Sequence, residues 1–151
     1  MSSLADIRLF LLDMDGTVYL GSRLLPGSLD FLRYLEESGR DHLFLTNNSS
    51  RNADYYSKKL TKLGWPAKPD EILTAGEATA LYLGGEKPTA RIYLLGTPDL
   101  ETEFASYGFV LTDEAPDYVV LGFDMTLTYE KLVKPCDLIP AGVPFIATPP
   151  D

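Results

Sequence analysis

The stretch LFLLDMDGTVYLG, residues 9–21, places two carboxylates directly after an apolar run. The run predicts a buried strand over residues 7–12. Asp13 and Asp15 follow that strand, although an ionised carboxylate is costly to bury without a partner. A positive charge close to the end of this strand would stabilise both groups.

Strand-like and helix-like segments alternate along the rest of the chain. The patterns predict strands over residues 7–12, 42–45, 72–74, 91–95, 118–121 and 144–147, and helices over residues 28–37, 52–63, 77–83, 98–107 and 128–133. Ser28 is expected to cap the first helix and Gly39 to end it, while Gly84-Gly85 is expected to close the third. This alternation predicts an α/β fold with a mainly parallel sheet.

Polar clusters follow the first two predicted strands, at residues 13–17 and 46–48. In a parallel α/β sheet, ligands bind beyond the carboxyl ends of the strands. The structural alternative is that Asp15-Gly16 is an ordinary turn pair and that residues 46–48 cap a helix.

A phosphate ester would use these residue types. Asp13 is a carboxylate nucleophile that can attack phosphorus when a hard divalent cation such as Mg²⁺ offsets the charge repulsion. Asp15 can protonate the leaving alkoxide and then activate water. Gly16 allows the backbone to turn its N–H groups toward phosphate oxygens, and Thr46 and Asn47 can donate hydrogen bonds to the same group.

Two segments carry a family resemblance. LLDMDGTVYLG (residues 11–21) and LFLTNNSS (residues 43–50) resemble the first and second motifs of the haloacid dehalogenase superfamily, in the form of its NagD-like and p-nitrophenyl-phosphatase-like branch. Five further segments resemble this branch, so that the likeness covers nearly the whole chain: AGEATALYL, YLLGTPDLETEF, VVLGFD, LTYEKL and PFIAT.

The resemblance implies a fold, an activity and a set of site residues. The fold would be a Rossmann-like core with a parallel sheet plus a partial α/β cap, with residues 1–84 in the core and 85–151 in the cap. The activity would be Mg²⁺-dependent hydrolysis of small phosphate monoesters through an aspartyl-phosphate on Asp13, with Asp15 as general acid and base. Asp13 and the main-chain carbonyl of Asp15 would bind Mg²⁺. The phosphate group would be bound by Gly16, Thr17, Thr46, Asn47 and Asn48.

Two family motifs have no match here: a lysine and a group of acidic metal ligands, both of which follow the cap. The chain therefore resembles the N-terminal half of such a phosphatase and is expected to be essentially inactive alone. A non-catalytic phosphate- or metal-binding module is the alternative. Pro135 departs from the family pattern and is expected to shorten or kink the last helix; Pro140 and Pro149 depart from it too, without a functional explanation.

Composition limits the partners. The net charge of −9 argues against nucleic acid, and Lys58, Lys59 and Lys62 are too few for such a site. The chain shows no membrane-length apolar run and no signal-peptide pattern, and its single cysteine, Cys136, fits a reducing compartment. We therefore expect a cytoplasmic protein that acts on a small phosphorylated metabolite. A homo-oligomer formed through the cap is left open.

Overall fold

The structure is a computed structural model that describes residues 6–148. It contains nine strands, β1 (Leu9–Asp13), β2 (Tyr19–Leu20), β3 (Arg23–Leu24), β4 (Asp41–Thr46), β5 (Ile72–Thr74), β6 (Arg91–Leu95), β7 (Val110–Leu111), β8 (Tyr118–Leu121) and β9 (Phe145–Ala147), within the described residues. Over the same range it contains five α-helices, α1 (Ser28–Glu37), α2 (Ala53–Leu63), α3 (Ala75–Glu86), α4 (Pro98–Ser106) and α5 (Tyr129–Leu138), with a 3₁₀ turn at Pro69–Glu71. The predicted α/β class is confirmed. No helix among residues 6–148 has the length and apolarity needed to cross a membrane.

The described residues form two compact units. The first comprises residues 6–46 and 53–73, and the second comprises residues 47–52 and 74–148. The predicted boundary between residues 84 and 85 lies inside α3. The division into a phosphatase core and a cap stays a prediction.

The first unit contains a three-stranded sheet in the order β1-β4-β5. Strands β1 and β4 are parallel, in a register that pairs Leu9 with Asp41 and Asp13 with Leu45. The prediction of a buried first strand is wrong for one of its faces, because Leu9 and Leu11 are 53% and 59% exposed. The strand lies at the edge of this sheet, and only its other face packs against the core.

The second unit contains a parallel sheet in the order β7-β6-β8-β9. Ile92 and Val120 pack on one side of it with side chains of α3 and α4. Leu95 and Leu121 line an apolar groove together with side chains of α5. Because the chain leaves the neighbouring strands β6 and β8 in opposite directions across the sheet, their carboxyl ends form a topological switch point.

Glycine conformations set both ends of the first helix. Gly27 precedes α1 with φ of +85°, and no side chain caps the helix there. Ser28 is therefore not the predicted cap, and its hydroxyl donates instead to the carbonyl of Val18 at 2.8 Å. Gly39 ends the helix as predicted: with φ of +64° it lets the N–H of Arg40 reach the carbonyl of Leu35 at 2.9 Å.

Two helices run further than predicted. Helix α3 continues through Gly84-Gly85 to Glu86, and α5 continues through Pro135 to Leu138. Pro135 does not shorten its helix, because its φ suits a helix and the carbonyl that loses a donor is satisfied from outside. The hydroxyl of Tyr93 donates to that carbonyl, on Lys131, at 3.0 Å. Pro149 lies outside the described residues.

The hairpin of β2 and β3 and the short strand β7 were not predicted. Each of these strands has only two residues, too few to show a period-two pattern. Gly21 and Ser22 form the hairpin turn, and Gly21 has φ of +60° at its first central position. The Gly-Ser pair between Leu20 and Arg23 was the sequence signal for this turn.

Candidate functional site

Asp13 is the last residue of β1, and its side chain is exposed at the carboxyl end of the strand. Its partner in the register is Leu45, so Thr46, the last residue of β4, lies one position further along the neighbouring strand. The first unit therefore brings Asp13 and Thr46 to the same edge of the sheet, where the sequence predicts a phosphate site.

The loop after Asp13 is closed by its own backbone. The carbonyl of Met14 accepts hydrogen bonds from the N–H groups of Val18 and Tyr19 at 2.9 and 3.1 Å. Gly16 has φ of +88°, and its N–H donates to the carbonyl of Tyr19 at 2.7 Å. In this geometry the N–H of Gly16 is used within the loop. Its contribution to the site is therefore the left-handed backbone conformation that other residues rarely adopt.

Thr17 contacts the proposed nucleophile directly. Its hydroxyl donates to Oδ2 of Asp13 at 3.2 Å, and Asp13, Asp15 and Thr17 are all exposed. A donor on one carboxylate oxygen restrains the rotation of the side chain while leaving the other oxygen available for reaction. The loop thus presents two accessible carboxylates, one of them oriented.

Tyr19 ends this loop, and its side chain is buried. It is 1% exposed, and the ammonium group of Lys59 on α2 lies 3.8 Å from the centre of its ring. Burial raises the pKa of the Tyr19 hydroxyl, and the nearby Tyr56 and Asp15 raise it further. The hydroxyl therefore stays protonated. Sequence reasoning placed Lys59 on a helix but missed its contact with Tyr19, because the two residues are forty positions apart.

Asn47 and Asn48 follow Thr46 and belong by their contacts to the second unit. Both are exposed. Oδ1 of Asn48 accepts hydrogen bonds from the N–H and the hydroxyl of Ser50, at 2.8 and 2.7 Å. This side-chain oxygen shapes the turn after β4, and the phosphate contact of Asn48 stays a prediction.

A buried carboxyl group in the second unit lies outside the predicted site. Glu103 on α4 is 8% exposed, and its oxygens accept from the hydroxyl of Thr74 at 3.0 and 3.1 Å. Burial raises the pKa of Glu103 to about 7; the Thr74 hydrogen bond opposes the rise, and Glu77 and Asp99 add to it. Gly76 makes this contact possible, because a Cβ there would overlap the Glu103 carboxyl group.

Candidate metal ligands are few in the part of the chain that the structure describes. No three His, Cys, Asp or Glu side chains lie close enough together over residues 6–148 to hold a metal ion. Asp13 and the main-chain carbonyl of Asp15 are hard oxygen donors of the kind that Mg²⁺ prefers. They fit Mg²⁺ in kind but supply only part of its usual ligand set.

The haloacid dehalogenase-like hydrolase family model matches residues 10–110. The chain belongs to this family. The predicted superfamily is thereby confirmed, and the matched range includes both polar clusters. Solved structures of the family have the same fold. A 4-nitrophenylphosphatase from Thermotoga maritima is 50% identical, with a TM-score of 0.95 over 97% of this chain and 56% of its own. NagD from Escherichia coli K-12 is 27% identical, with a TM-score of 0.88 over 96% of this chain and 58% of its own.

Two further relatives carry phosphatase names. An acid sugar phosphatase of Staphylococcus aureus (strain USA300) is 40% identical over 94% of this chain and 55% of its own length. A glycerol phosphate phosphatase from Mycobacterium tuberculosis, solved in complex with magnesium, is 33% identical, with a TM-score of 0.89 over 100% of this chain and 47% of its own. This member of the haloacid dehalogenase-like family thus spans about half the length of the relatives it matches.

Proposed function

We propose that this chain is part of a Mg²⁺-dependent phosphatase that hydrolyses small phosphate monoesters through Asp13. The observation that carries the proposal is the pair of exposed carboxylates Asp13 and Asp15 after β1, with Asp13 oriented by the Thr17 hydroxyl. Family membership and the phosphatase names of its relatives support the reaction class.

The proposed reaction has two steps. An oxygen of Asp13 attacks phosphorus, the bond from phosphorus to the alkoxide breaks, and Asp15 gives its proton to the leaving oxygen. Asp15 then takes a proton from water, which attacks the aspartyl-phosphate and releases inorganic phosphate with Asp13 restored. Thr46 and Asn47 would donate hydrogen bonds to the phosphoryl oxygens in both steps.

Magnesium fits the donor chemistry of this loop. Asp13 and the Asp15 carbonyl would hold it, and when bound it would offset the repulsion between the Asp13 carboxylate and the phosphate dianion. The magnesium complex of the mycobacterial relative supports this choice. The remaining ligands would be water or groups outside residues 6–148, since no cluster of three acidic, His or Cys side chains lies among the described residues.

The incomplete ligand set also favours a second candidate: a phosphate- or metal-binding module that does not turn over. Losing one preorganised electrostatic group typically lowers a rate by about 10²–10³-fold, and the family's lysine and acidic motif are both unmatched here. We expect the 151-residue chain to bind phosphate but to hydrolyse esters at least about 10⁴-fold more slowly than a longer form that carries both motifs.

The substrate class and setting are also proposals. The acid sugar phosphatase relative supports a small phosphorylated metabolite, such as a sugar phosphate. A cytoplasmic location, a lack of nucleic-acid and membrane partners, and a homo-oligomer through the cap stay predictions from the sequence.

Hydrolysis of p-nitrophenyl phosphate by a longer form tests the proposal. Asp13→Asn should abolish turnover because an amide cannot form the aspartyl-phosphate, and Asp15→Asn should slow it by about 10²–10⁴-fold. EDTA should stop the reaction and added Mg²⁺ should restore it. Asp54→Asn is the matched control, since Asp54 is an exposed aspartate in the first turn of α2. Full activity of the Asp13 variant would refute the mechanism.

A further inference from the structure

The carboxyl ends of β6 and β8 meet at the topological switch point of the second unit's sheet, and we call the space beyond them the switch-point crevice. Gly96-Thr97 follows β6 and Gly122-Phe123 follows β8. Crevices of this kind, at a topological switch point, are where open α/β sheets bind their ligands.

A segment of the chain itself occupies this crevice. Ser49 and Ser50 are 0% and 1% exposed, although both are polar and lie in a loop. Oγ of Ser49 accepts from the N–H of Phe123 at 2.8 Å, and the hydroxyl of Thr97 donates to the carbonyl of Ser50 at 2.8 Å. Residues 49–50 are therefore held as a bound peptide would be, by one hydrogen bond from each strand end.

Gly122 packs beside this segment. A Cβ at Gly122 would overlap Leu100 but would lie at an ordinary contact distance of 3.4 Å from Oγ of Ser49, so glycine is required there by Leu100. At the next position in the chain, Arg51 pairs with Asp99 at 3.1 Å. Both of these side chains are partly exposed, so the ion pair contributes little compared with the buried hydrogen bonds.

We infer that Ser49, Ser50 and Thr97 are positioning residues for Asn47, with residues 49–50 bound in the switch-point crevice of the second unit. Asn47 is two residues from Ser49, so anchoring Ser49 restricts the backbone of this proposed phosphate donor, whereas the backbone of Thr46 is set by β4. This inference rests on the proposed function, because positioning matters only if Asn47 binds a phosphoryl group.

Matched variants separate this anchor from helix capping. Thr97 caps α4 by accepting from the N–H of Leu100, and Thr128 caps α5 by accepting from the N–H of Lys131. Thr97→Val and Thr128→Val each remove a cap, but only the first removes the donor to Ser50. Thr97→Ser keeps the hydroxyl and should behave as the parent. Ser49→Ala tests the second hydrogen bond without touching a cap.

Two NMR measurements on the ¹⁵N-labelled 151-residue chain provide the test. The first is amide hydrogen exchange at Ser50, whose N–H bonds to Asn48. We expect exchange to be at least about tenfold faster in Thr97→Val and Ser49→Ala. Each variant leaves a buried polar group unpaired, and the free-energy cost of this favours local opening by about that factor or more. The β6 amides report any global loss of stability.

The second measurement is the response of the Thr46 and Asn47 amides to inorganic phosphate with Mg²⁺. Thr97→Val and Ser49→Ala should each raise the phosphate concentration at half-saturation by about threefold or more. Thr128→Val should change neither the exchange rate nor the half-saturation.

Each result has a distinct meaning. Unchanged Ser50 exchange in both anchor variants would overturn the anchor itself. Faster exchange with unaltered phosphate response would overturn the positioning role. If phosphate leaves the Thr46 and Asn47 amides of the parent chain unshifted, the proposed phosphate site is wrong and the positioning role falls with it, whereas the exchange arm still reports whether residues 49–50 are held.

Discussion

Removing the Tyr93 hydroxyl should destabilise the second unit, because the main-chain carbonyl of Lys131 would lose its hydrogen-bond donor. Pro135 has no N–H, so the carbonyl of Lys131, four residues earlier, lacks its helical donor, and the Tyr93 hydroxyl supplies the replacement at 3.0 Å. Burial raises the pKa of Tyr93, with Asp113 and Glu130 adding to the rise, so the hydroxyl remains a donor across the neutral range.

The magnitude follows from leaving that carbonyl unpaired. The contact is part-buried, so Tyr93→Phe should lower the free energy of unfolding by about 1–2 kcal/mol. In a Pro135→Ala background, the new N–H of residue 135 can bond to Lys131 itself, and the same substitution should then cost less than about 0.5 kcal/mol. The coupling energy of the double-mutant cycle should be about 1 kcal/mol. Any packing energy that Pro135→Ala loses is present with and without the Tyr93 hydroxyl, so it cancels in the cycle.

Urea unfolding followed by far-UV circular dichroism measures the four free energies. The single tryptophan, Trp65, lies in the first unit, so its fluorescence shows whether the two units unfold together. Tyr118→Phe on the neighbouring β8 is the control, because the Tyr118 hydroxyl has no hydrogen-bond partner among the described residues. An equal cost of Tyr93→Phe in both backgrounds would refute the reasoning, since the hydroxyl would then not be replacing the proline's missing donor.

Two other side chains give direct predictions. The pKa of Glu103 in the folded chain, about 7, lies above its ordinary value of 4.5, so the folded state binds more protons in this window. The free energy of unfolding should therefore fall by about 3 kcal/mol as pH rises from 4.5 to 7, a slope that Glu103→Gln should remove in urea unfolding across that range. Lys59→Met should lower stability by about 0.5–1 kcal/mol, because it removes the cation over the Tyr19 ring but keeps the alkyl chain. Lys58→Met, at an exposed neighbour, should cost less; an equal loss would exclude the ring contact as the cause.

Local pattern was sufficient for most of the fold. The bounds of β5, β6, β8 and α1 match their predicted ranges, and Gly39 ends α1 as expected, because period and helix-end chemistry are properties of neighbouring residues. The placement of Asp13 and Thr46 at strand ends was also readable from the sequence, since each follows an apolar run. At one position where a local rule failed, a distant contact decided the outcome. Pro135 remains within its helix because Tyr93, from another strand, satisfies Lys131.

The contacts that shape the candidate site were decided by tertiary structure alone. The hydroxyl of Thr97 meets Ser50 across 47 positions, and Lys59 meets the ring of Tyr19 across 40. The exposed face of β1 likewise depends on which strands and helices lie beside it. No periodicity links residues so far apart, and a serine or lysine has the same local preferences whether it is buried in a crevice or solvated. The sequence by itself indicated which residues we propose for phosphate chemistry, and the folded chain determined which side chains from distant positions contact them and their neighbours.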